Sequence, residues 1–503
     1  MTRVVSIYLP DLATDRIRRA DPGIPVEQAI AVIARSGSKR WVSAVDAAAR
    51  KAGLRVGMPA AKAQALFQGL MMVDADPVAD AAALERIALW ALTIYSPVVA
   101  VDGTDGLVLD TDGADHLQGG EEPMLIRIAN QFRAKGLTAR VAIADTWGAA
   151  HACARAITRE TVIVPRGEIV RAVEKLPLSL LRLSPKIVDD LRVLGFQTIG
   201  ELANTPRAPL ALRFGPELGR RIDQMFGRTS EPIEPVRSPE WIEVTRQFAE
   251  PIGAAETINK YVGRLVVELV DELQRKGLGV RRTDLIVEKV DGTRQAIRAG
   301  TAKPARDVMW LTKLFKDRTE KIEPGFGIER LTLVAVMSEA LEEEQRSSSL
   351  VEEQDDDITP LIDILGNRGS RVYRVAPVAS DVPERSVQRI AAAAEPTSED
   401  WVYEWKRPVR LLHKPDLIEV MALMPDHPPV WFSWRGKRRR VKCADGPERV
   451  YGEWWVRKSE LEAVRDYFVV EDDAGERYWI FRSGDGVDAG TGSHKWFLHG
   501  IFA

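Results

Sequence analysis

Nucleotidyl and phosphoryl chemistry commonly runs on two cations about 3.5–4 Å apart, held by carboxylates that converge on them. Several carboxylates in this chain stand beside short apolar strands. Asp11 follows the run 3–9 (RVVSIYL) and Pro10, and Asp102, Asp105 and Asp110 lie in 95–110 (YSPVVAVDGTDGLVLD). Asp102 and Asp105 differ by an odd number of positions, which sends them to opposite faces of a regular strand. Asp105 then reads as a turn residue before the strand at 107–110. The other metal-binding residue types form no pattern. His116, His151, His413, His427, His494 and His499 lack helical ligand spacing, so packing or surface roles are expected. Cys153 and Cys443 are far apart, which excludes a disulfide framework and a cysteine zinc site and suits a reducing cytoplasm. Gly119-Gly120 reads as a turn, since no Lys-Ser/Thr follows it to make a phosphate loop. No cofactor is implied.

The net charge of −3 excludes a globally basic nucleic-acid binder, so nucleic-acid contact would have to come from patches. Two exist. Lys260–Lys321 holds 15 Lys/Arg against 9 Asp/Glu, and Arg435–Lys442 (RGKRRRVK) places six basic residues in eight positions. Either patch also suits a solvated face.

The elements that must position these residues follow from periodicity. A chain of 503 residues implies roughly three to five domains. Short β-branched strands at 3–9, 29–34, 41–45, 69–73, 98–102, 107–110 and 139–144 alternate with helical patterns such as 85–95 and 123–135, which predicts an α/β layer domain over the first ~165 residues. From about 175 to 237 short helices are punctuated by Gly and Pro. Ser184 and Pro185 start one helix, Gly195 stops it, and Thr198 with Glu201 forms a capping-box pattern for the next. A hairpin of this kind can aim backbone N–H groups around Gly195 and Gly200 at a phosphate, or be a plain helical hairpin. Residues 239–340 predict an α+β unit in which Arg281, Arg282, Arg294 and Arg298 share one strand pair. Segment 342–357 (EEEQRSSSLVEEQDDD), with eight acids, reads as an exposed linker. Residues 401–503 carry eight of the thirteen tryptophans, which predicts a packed, mainly β module. The N-terminus lacks the apolar core of a signal peptide and no 18-residue apolar stretch follows, so a cytoplasmic protein without a membrane span is expected.

Over about residues 1–340 the chain resembles the Y-family (lesion-bypass) DNA polymerases. The segment 95–110 resembles the palm motif in which a serine-isoleucine-aspartate-glutamate run precedes a short strand; aligned on Leu109-Asp110, the family aspartate falls on Asp105 and the catalytic glutamate on Gly106. The metal aspartate of the first palm strand falls on Tyr8, with Asp11 up to ~10 Å further along an extended chain. Segment 47–59 (AAARKAGLRVGMP) is similar to the fingers motif that holds a triphosphate: Arg50 persists, while the motif's tyrosine is Ala47. Segment 142–151 (AIADTWGAAH) resembles the palm segment that supplies a triphosphate-binding lysine, and Trp147 stands there. The strings 194–202 (LGFQTIGEL) and 212–215 (LRFG) resemble the family's helix-hairpin-helix. Beyond the linker, 376–385 (APVASDVPER), 446–450 (GPERV), 453–455 (EWW), 465–468 (RDYF) and 496–503 (WFLHGIFA) resemble the ImuB-type branch of that family.

The resemblance implies a palm (1–24 and 76–170), fingers (25–75), helix-hairpin-helix thumb (171–238) and little finger (239–341), then the acidic linker and a C-terminal interaction module (358–503). It implies a catalytically degenerate adaptor in damage-induced translesion synthesis that binds DNA without polymerising it. The implied partners are DNA, the β sliding clamp, a RecA-like accessory protein and an error-prone replicative-type DNA polymerase α subunit. Clamp peptides are Gln-led with apolar anchors, and Gln345 with Leu350 is the nearest string, ahead of Gln247-Phe248 and 361–365. Two other readings stay open: an active lesion-bypass polymerase with surrogate ligands, and a DNA-binding scaffold unrelated to lesion bypass.

Overall fold

A computed structural model describes residues 3–111, 120–156, 158–320, 322–341, 357–394, 407–423, 427–488 and 490–502. Its contacts divide into two compact units, Met1–Arg371 and Val372–Ala503.

In the first unit, β1 (Val4–Tyr8) is buried nearly throughout and runs into α1 (Leu12–Ala20). A small lobe follows. There β2 (Ile30–Ser36) and β3 (Lys39–Val45) pair antiparallel, α2 (Ala47–Lys51) and α3 (Ala60–Leu66) cover them, and β4 (Met71–Asp74) adds in parallel to give the order β3-β2-β4. Ile33, Val42, Leu54 and Ala63 make its separate core. The chain then returns through α4 (Pro77–Ile94), β5 (Val98–Val101), β6 (Gly106–Asp110), α5 (Glu121–Ala134), β7 (Arg140–Ala144), α6 (Trp147–Ala156) and β8 (Thr161–Ile163). These complete a five-stranded sheet, β5-β6-β1-β7-β8, with β1 central. Helices α4 and α5 bury one face through Leu84, Leu92, Ile128 and Phe132. On the other face, α6 buries Ala149, Ala150, Ala152 and Ala154, side chains small enough to let the helix lie close to the strands.

Five short helices come next: α7 (Ile169–Val173), α8 (Pro185–Val193), α9 (Ile199–Ala203), α10 (Arg207–Phe214) and α11 (Pro216–Met225). They share a core with α6 through Val173, Leu191, Leu202, Leu218 and Ile222. The last part of the unit is built from β9 (Ile242–Ile252), α12 (Ala255–Arg275), β10 (Leu278–Lys289), β11 (Arg294–Ala305), α13 (Val308–Thr319) and β12 (Ile328–Ala340), with an antiparallel sheet in the order β11-β10-β12-β9. The heptad-like apolar face of α12, from Ile258 to Leu273, packs with α13 on one side of this sheet. The other side is not left to solvent. Ile286, Val334 and Val336 join Leu92 of α4 in the palm core, with Trp241 packed alongside.

A helix beyond the acidic segment, α14 (Thr359–Asn367), stands with the first unit rather than the second. Asn367 exchanges two hydrogen bonds with Gly300 of β11, at 2.9 and 2.7 Å, and Asp363 accepts from the Trp310 indole at 2.9 Å. The division between compact units therefore falls at Arg371, past the start expected at residue 358.

The second unit is mainly β. A ribbon of β13 (Tyr373–Pro377) and β14 (Val387–Ala391) precedes a closed barrel of β15 (Arg410–Met421), β16 (Trp431–Trp434), β17 (Lys437–Tyr451), β18 (Val464–Asp472), β19 (Arg477–Ser483) and β20 (Trp496–Ile501). Phe432, Phe468, Ile480 and Leu498 fill one part of it and Tyr467, Trp479 and Phe481 another. Trp479 and Trp496 are thus core residues, whereas Trp454 and Trp455 are exposed. Among the described residues no helix is long and apolar enough to cross a membrane.

Candidate functional site

The centre of the palm is assembled where β1, β6 and α6 meet. Register places Tyr8 directly opposite Gly106 on one side and Arg140 on the other. From the last turn of α6, Arg155 reaches into this place. Its Nη2 donates to Asp105 at 2.6 Å, its Nη1 lies 3.6 Å from Asp102, and its guanidinium sits 4.7 Å from the centre of the Tyr8 ring. Gly106 makes the room: a Cβ there would stand 2.6 Å from Arg155 Nη2 and 3.1 Å from the carbonyls of Asp102 and Ile7.

Strand alternation predicts Asp102 and Asp105 on opposite faces, and this expectation fails. The chain turns between them, with Gly103 at φ +69° and the Asp102 N–H bonded to the Gly106 carbonyl at 2.8 Å. Both carboxylates consequently face Arg155. Asp102 is buried and also bonds His151 Nδ1 at 2.6 Å. Burial pulls the His151 imidazole below its usual range, against the pull of Asp102, so it is neutral at pH 7. Burial opposes ionisation of Asp102, but the bond to His151 and the positive charge of Arg155 hold its carboxyl low. Burial and the Asp105 charge push the Tyr8 phenol up, so it stays protonated. From sequence His151 carries only the expectation of a packing or surface role, and Arg155 carries none. Their separation of four residues on one helix, which aligns them on one face, was the available signal.

The residues matched to triphosphate contacts are also engaged. Arg50 holds Asp11 through two bonds of 2.6 Å and the Val45 carbonyl at 2.9 Å, so both oxygens of buried Asp11 are taken. Ala47 opens α2 beneath the Asp46 cap. The ring of Trp147 lies 4.7 Å under the Arg182 guanidinium, which is itself fixed by Glu231 at 2.6 Å.

In the thumb, Gly195 takes φ +95° after α8 and Thr198 with Glu201 closes a complete capping box on α9. Gly200 allows a close approach: a Cβ would stand 2.8 Å from the Glu174 carbonyl, to which its own N–H bonds at 2.8 Å. The other N–H groups are spoken for as well. Gly195 and Phe196 donate to Arg192 and Leu191, Gln197 and Thr198 to the Glu201 carboxylate, Ile199 to Leu176, and Glu201 to the Thr198 hydroxyl. From Gly195 to Glu201 every backbone donor already has an acceptor inside the thumb.

The four arginines of the β10–β11 pair are partnered too. Arg298 clasps Asp284 with two bonds of 2.7 Å and donates to the Leu92 carbonyl at 2.7 Å, while Arg282 donates to the Thr93 carbonyl, so both grip the C-terminal end of α4. That end carries the negative pole of the helix and unsatisfied carbonyls, a natural seat for cations. Burial, then the charge of Arg298, lowers the Arg282 pKa. Arg294 lies 3.0 Å from Glu288 and Arg281 3.4 Å from Glu339. The reason is the second face of the sheet, which packs on α4 instead of opening to a ligand. Of the clamp-peptide candidates, Gln345 and Leu350 lie outside the described residues, Phe248 packs on Tyr261 at 4.8 Å between ring centres, and Leu361 is exposed on α14.

Comparison with known proteins bears on this geometry. The impB/mucB/samB family matches residues 12–155 and the impB/mucB/samB family C-terminal domain residues 241–350. Protein ImuB of Caulobacter vibrioides is 40% identical over 462 residues, covering 90% of this chain and all of that one. The chain belongs to the ImuB family. The first unit, ending at Arg371 of 503 residues, cannot supply that coverage alone, so the ImuB relationship extends into the barrel. Outside the ImuB family, DNA polymerase IV 2 of Mesorhizobium japonicum is 29% identical over 231 residues, 45% of this chain and 53% of that one. Solved structures that match include DinB from Sulfolobus solfataricus (16% identity, TM-score 0.39) and an insertion ternary complex of Dbh DNA polymerase (15%, TM-score 0.40), each covering 66% of this chain and 98% of the other. The ImuB-family chain pairs the two impB/mucB/samB domains, matched over residues 12–155 and 241–350, with a mainly β module.

Proposed function

We propose that this ImuB family member is a non-catalytic, polymerase-shaped DNA-binding adaptor in damage-induced translesion synthesis, linking a sliding clamp, a RecA-like accessory protein and an error-prone replicative-type polymerase α subunit. The observation that carries the reading is Arg155. Family polymerases converge carboxylates on a cation pair; here the same place holds a phenol at Tyr8, no side chain at Gly106, and a guanidinium already matched to Asp105 and Asp102. Arginine stays charged at every accessible pH, so it competes permanently with a divalent cation for those carboxylates. The residues present therefore do not fit the two-metal site. Arg50, tied to Asp11, and Trp147, stacked under Arg182, further support a loss of triphosphate handling.

We assign the DNA hold to the thumb hairpin around Gly195 and Gly200, through groups other than its backbone N–H donors from Gly195 to Glu201, which are already bonded within the thumb, and to the β10–β11 strand pair carrying Arg281, Arg282, Arg294 and Arg298. Arg282 and Arg298 reach phosphates only if the sheet leaves α4 and exchanges the Leu92 and Thr93 carbonyls for them. The test is primer extension with magnesium and with manganese. The chain alone should extend nothing, and extension that appears only with the partner polymerase should survive Asp105→Ala. The rival reading, an active polymerase, draws on the turn that brings Asp102 and Asp105 together. Template-dependent extension by the chain alone, lost in Asp105→Ala, would establish it.

A further inference from the structure

We propose that the β16–β17 hairpin of the barrel is a second nucleic-acid site, built for single strands, with Trp431 as a stacking platform and Arg438, Arg440 and Lys442 as its phosphate contacts.

Arg407, Arg439, Arg449, Arg465 and Arg482 each hold a carboxylate, mostly at 2.6–2.8 Å. The basic run at 435–442 behaves differently. The hairpin turns through Arg435 and Gly436, both at positive φ (50° and 75°), the pattern of a two-residue type I′ turn that fixes register. Register then sorts the run by parity. Arg439 stands opposite buried Phe432 and bonds Asp472 at 2.6 Å. Arg438 and Arg440 stand opposite Ser433 and Trp431 on the outer face. Lys437, Arg438, Arg440 and Lys442 are exposed, and among the described residues none is within ion-pair distance of a carboxylate. Arg438 and Arg440, two positions apart on a strand, are separated by about 6.6 Å along it.

An aromatic surface is interleaved with these charges. The Arg438 guanidinium lies 3.8 Å from the centre of the Trp431 ring, and Arg435 lies 4.6 Å from that of Trp434. Trp434 is anchored from the barrel side by donating to Asp416 at 3.0 Å, and Trp431 donates to the Met421 sulfur at 3.2 Å. The carboxylates near the face are Asp416, 3.7 Å from Arg435, Glu419 opposite Ser433, and Glu471 opposite Cys443, so the five basic residues other than Arg439 meet three acids. Unpaired cations alone suit any polyanion. A guanidinium-stacked indole on the same face adds an element that a single strand uses and a duplex does not, because only unstacked bases present their π-faces.

The experiment uses the full chain with a fluorescein-labelled 20-nucleotide oligo-dT and a blunt duplex, read by anisotropy across a salt series. Arg438→Gln/Arg440→Gln/Lys442→Gln should weaken oligo-dT binding at least tenfold and flatten the slope of log K against log salt by about 2, from ~0.7 per neutralised phosphate. Trp431→Ala should lose roughly 5- to 150-fold at an unchanged slope. Blunt-duplex affinity should move less than twofold in Trp431→Ala. Arg438→Lys/Arg440→Lys, which keeps the charge, should retain the slope. An oligo-dT affinity unmoved by the triple change overturns the proposal. So does a loss that is equal for a poly-glutamate competitor while Trp431→Ala is silent, which would make the hairpin a seat for an acidic protein.

Discussion

Replacing Arg155 by methionine tests the palm centre most directly. The variant keeps much of the side-chain volume and removes the charge that faces Asp102 at 3.6 Å and Asp105 at 2.6 Å. Two unit charges 4 Å apart at an effective dielectric of 20 interact by about 4 kcal/mol, and breaking a buried pair typically costs about 3–5 kcal/mol. Asp105 is partly exposed and Asp102 retains His151, so the expected loss at pH 8 is about 2–4 kcal/mol. The pH dependence is the sharper signature. In the natural chain burial and then the repulsion of Arg155 oppose protonation of His151, while Asp102 favours it, and the net is a lowered pKa. Without Arg155, burial and Arg182 still oppose protonation, but the pull of Asp102 meets less opposition and the His151 pKa rises. A group whose folded pKa lies below its unfolded value costs stability as pH falls through the unfolded pKa, and a smaller depression costs less. The deficit of the variant should therefore shrink between pH 8 and pH 5.5. Urea unfolding at the two pH values, with the His151 imidazole followed by NMR, measures both effects. An equal deficit at both pH values, with His151 titrating where it does in the natural chain, would refute the reasoning.

Asp15, which accepts the Thr138 N–H at 2.6 Å, is raised to about 6 chiefly by burial, so its ionisation opposes folding and stability falls as pH rises from about 4 to 6. Asp15→Asn should raise the melting temperature at pH 7.5, by a contribution on the order of 1–3 kcal/mol, and leave it unchanged at pH 4. Gly200→Ala must fit a Cβ against the Glu174 carbonyl and should destabilise by about 1–3 kcal/mol, visible in thermal unfolding; an unchanged melting temperature would mean the two backbones are not so close. Arg282→Ala/Arg298→Ala should raise hydrogen exchange in α4 and in β10–β12, because two cations leave the α4 carbonyls; unchanged protection there would place the hold elsewhere. Removal of residues 372–503 should leave binding of primer–template DNA by the first unit intact yet abolish damage-induced mutagenesis in cells, and normal mutagenesis would end the adaptor role of the barrel.

What could be read from sequence was mostly local. Ser184, Gly195, Thr198 and Glu201 specify helix ends through bonds spanning a few residues, and each adopts the geometry its type prefers. The strand-parity argument at Asp102 failed because one positive-φ glycine turned a presumed strand into a corner. Arg155 was invisible because it meets Asp105 across fifty residues and two elements, and only the tertiary fold creates that contact. The four little-finger arginines were rightly neighbours on paper. Which side of their sheet would be covered was encoded in the apolar run 331–336 (LTLVAV) of β12, a continuous stretch typical of a strand buried on both faces. The barrel's closure, set by pairings such as β15 with β20, has no local signature.

Gly106 and Arg155 also constrain how such a protein can change over generations. Placing a carboxylate at 106 first would press a side chain against the guanidinium and two main-chain carbonyls. Removing Arg155 first would leave Asp102 and Asp105 without their counter-charge. Either change alone passes through a less stable intermediate, so the pair works as an evolutionary ratchet: once it is in place, selection for a sound fold is enough to keep it there.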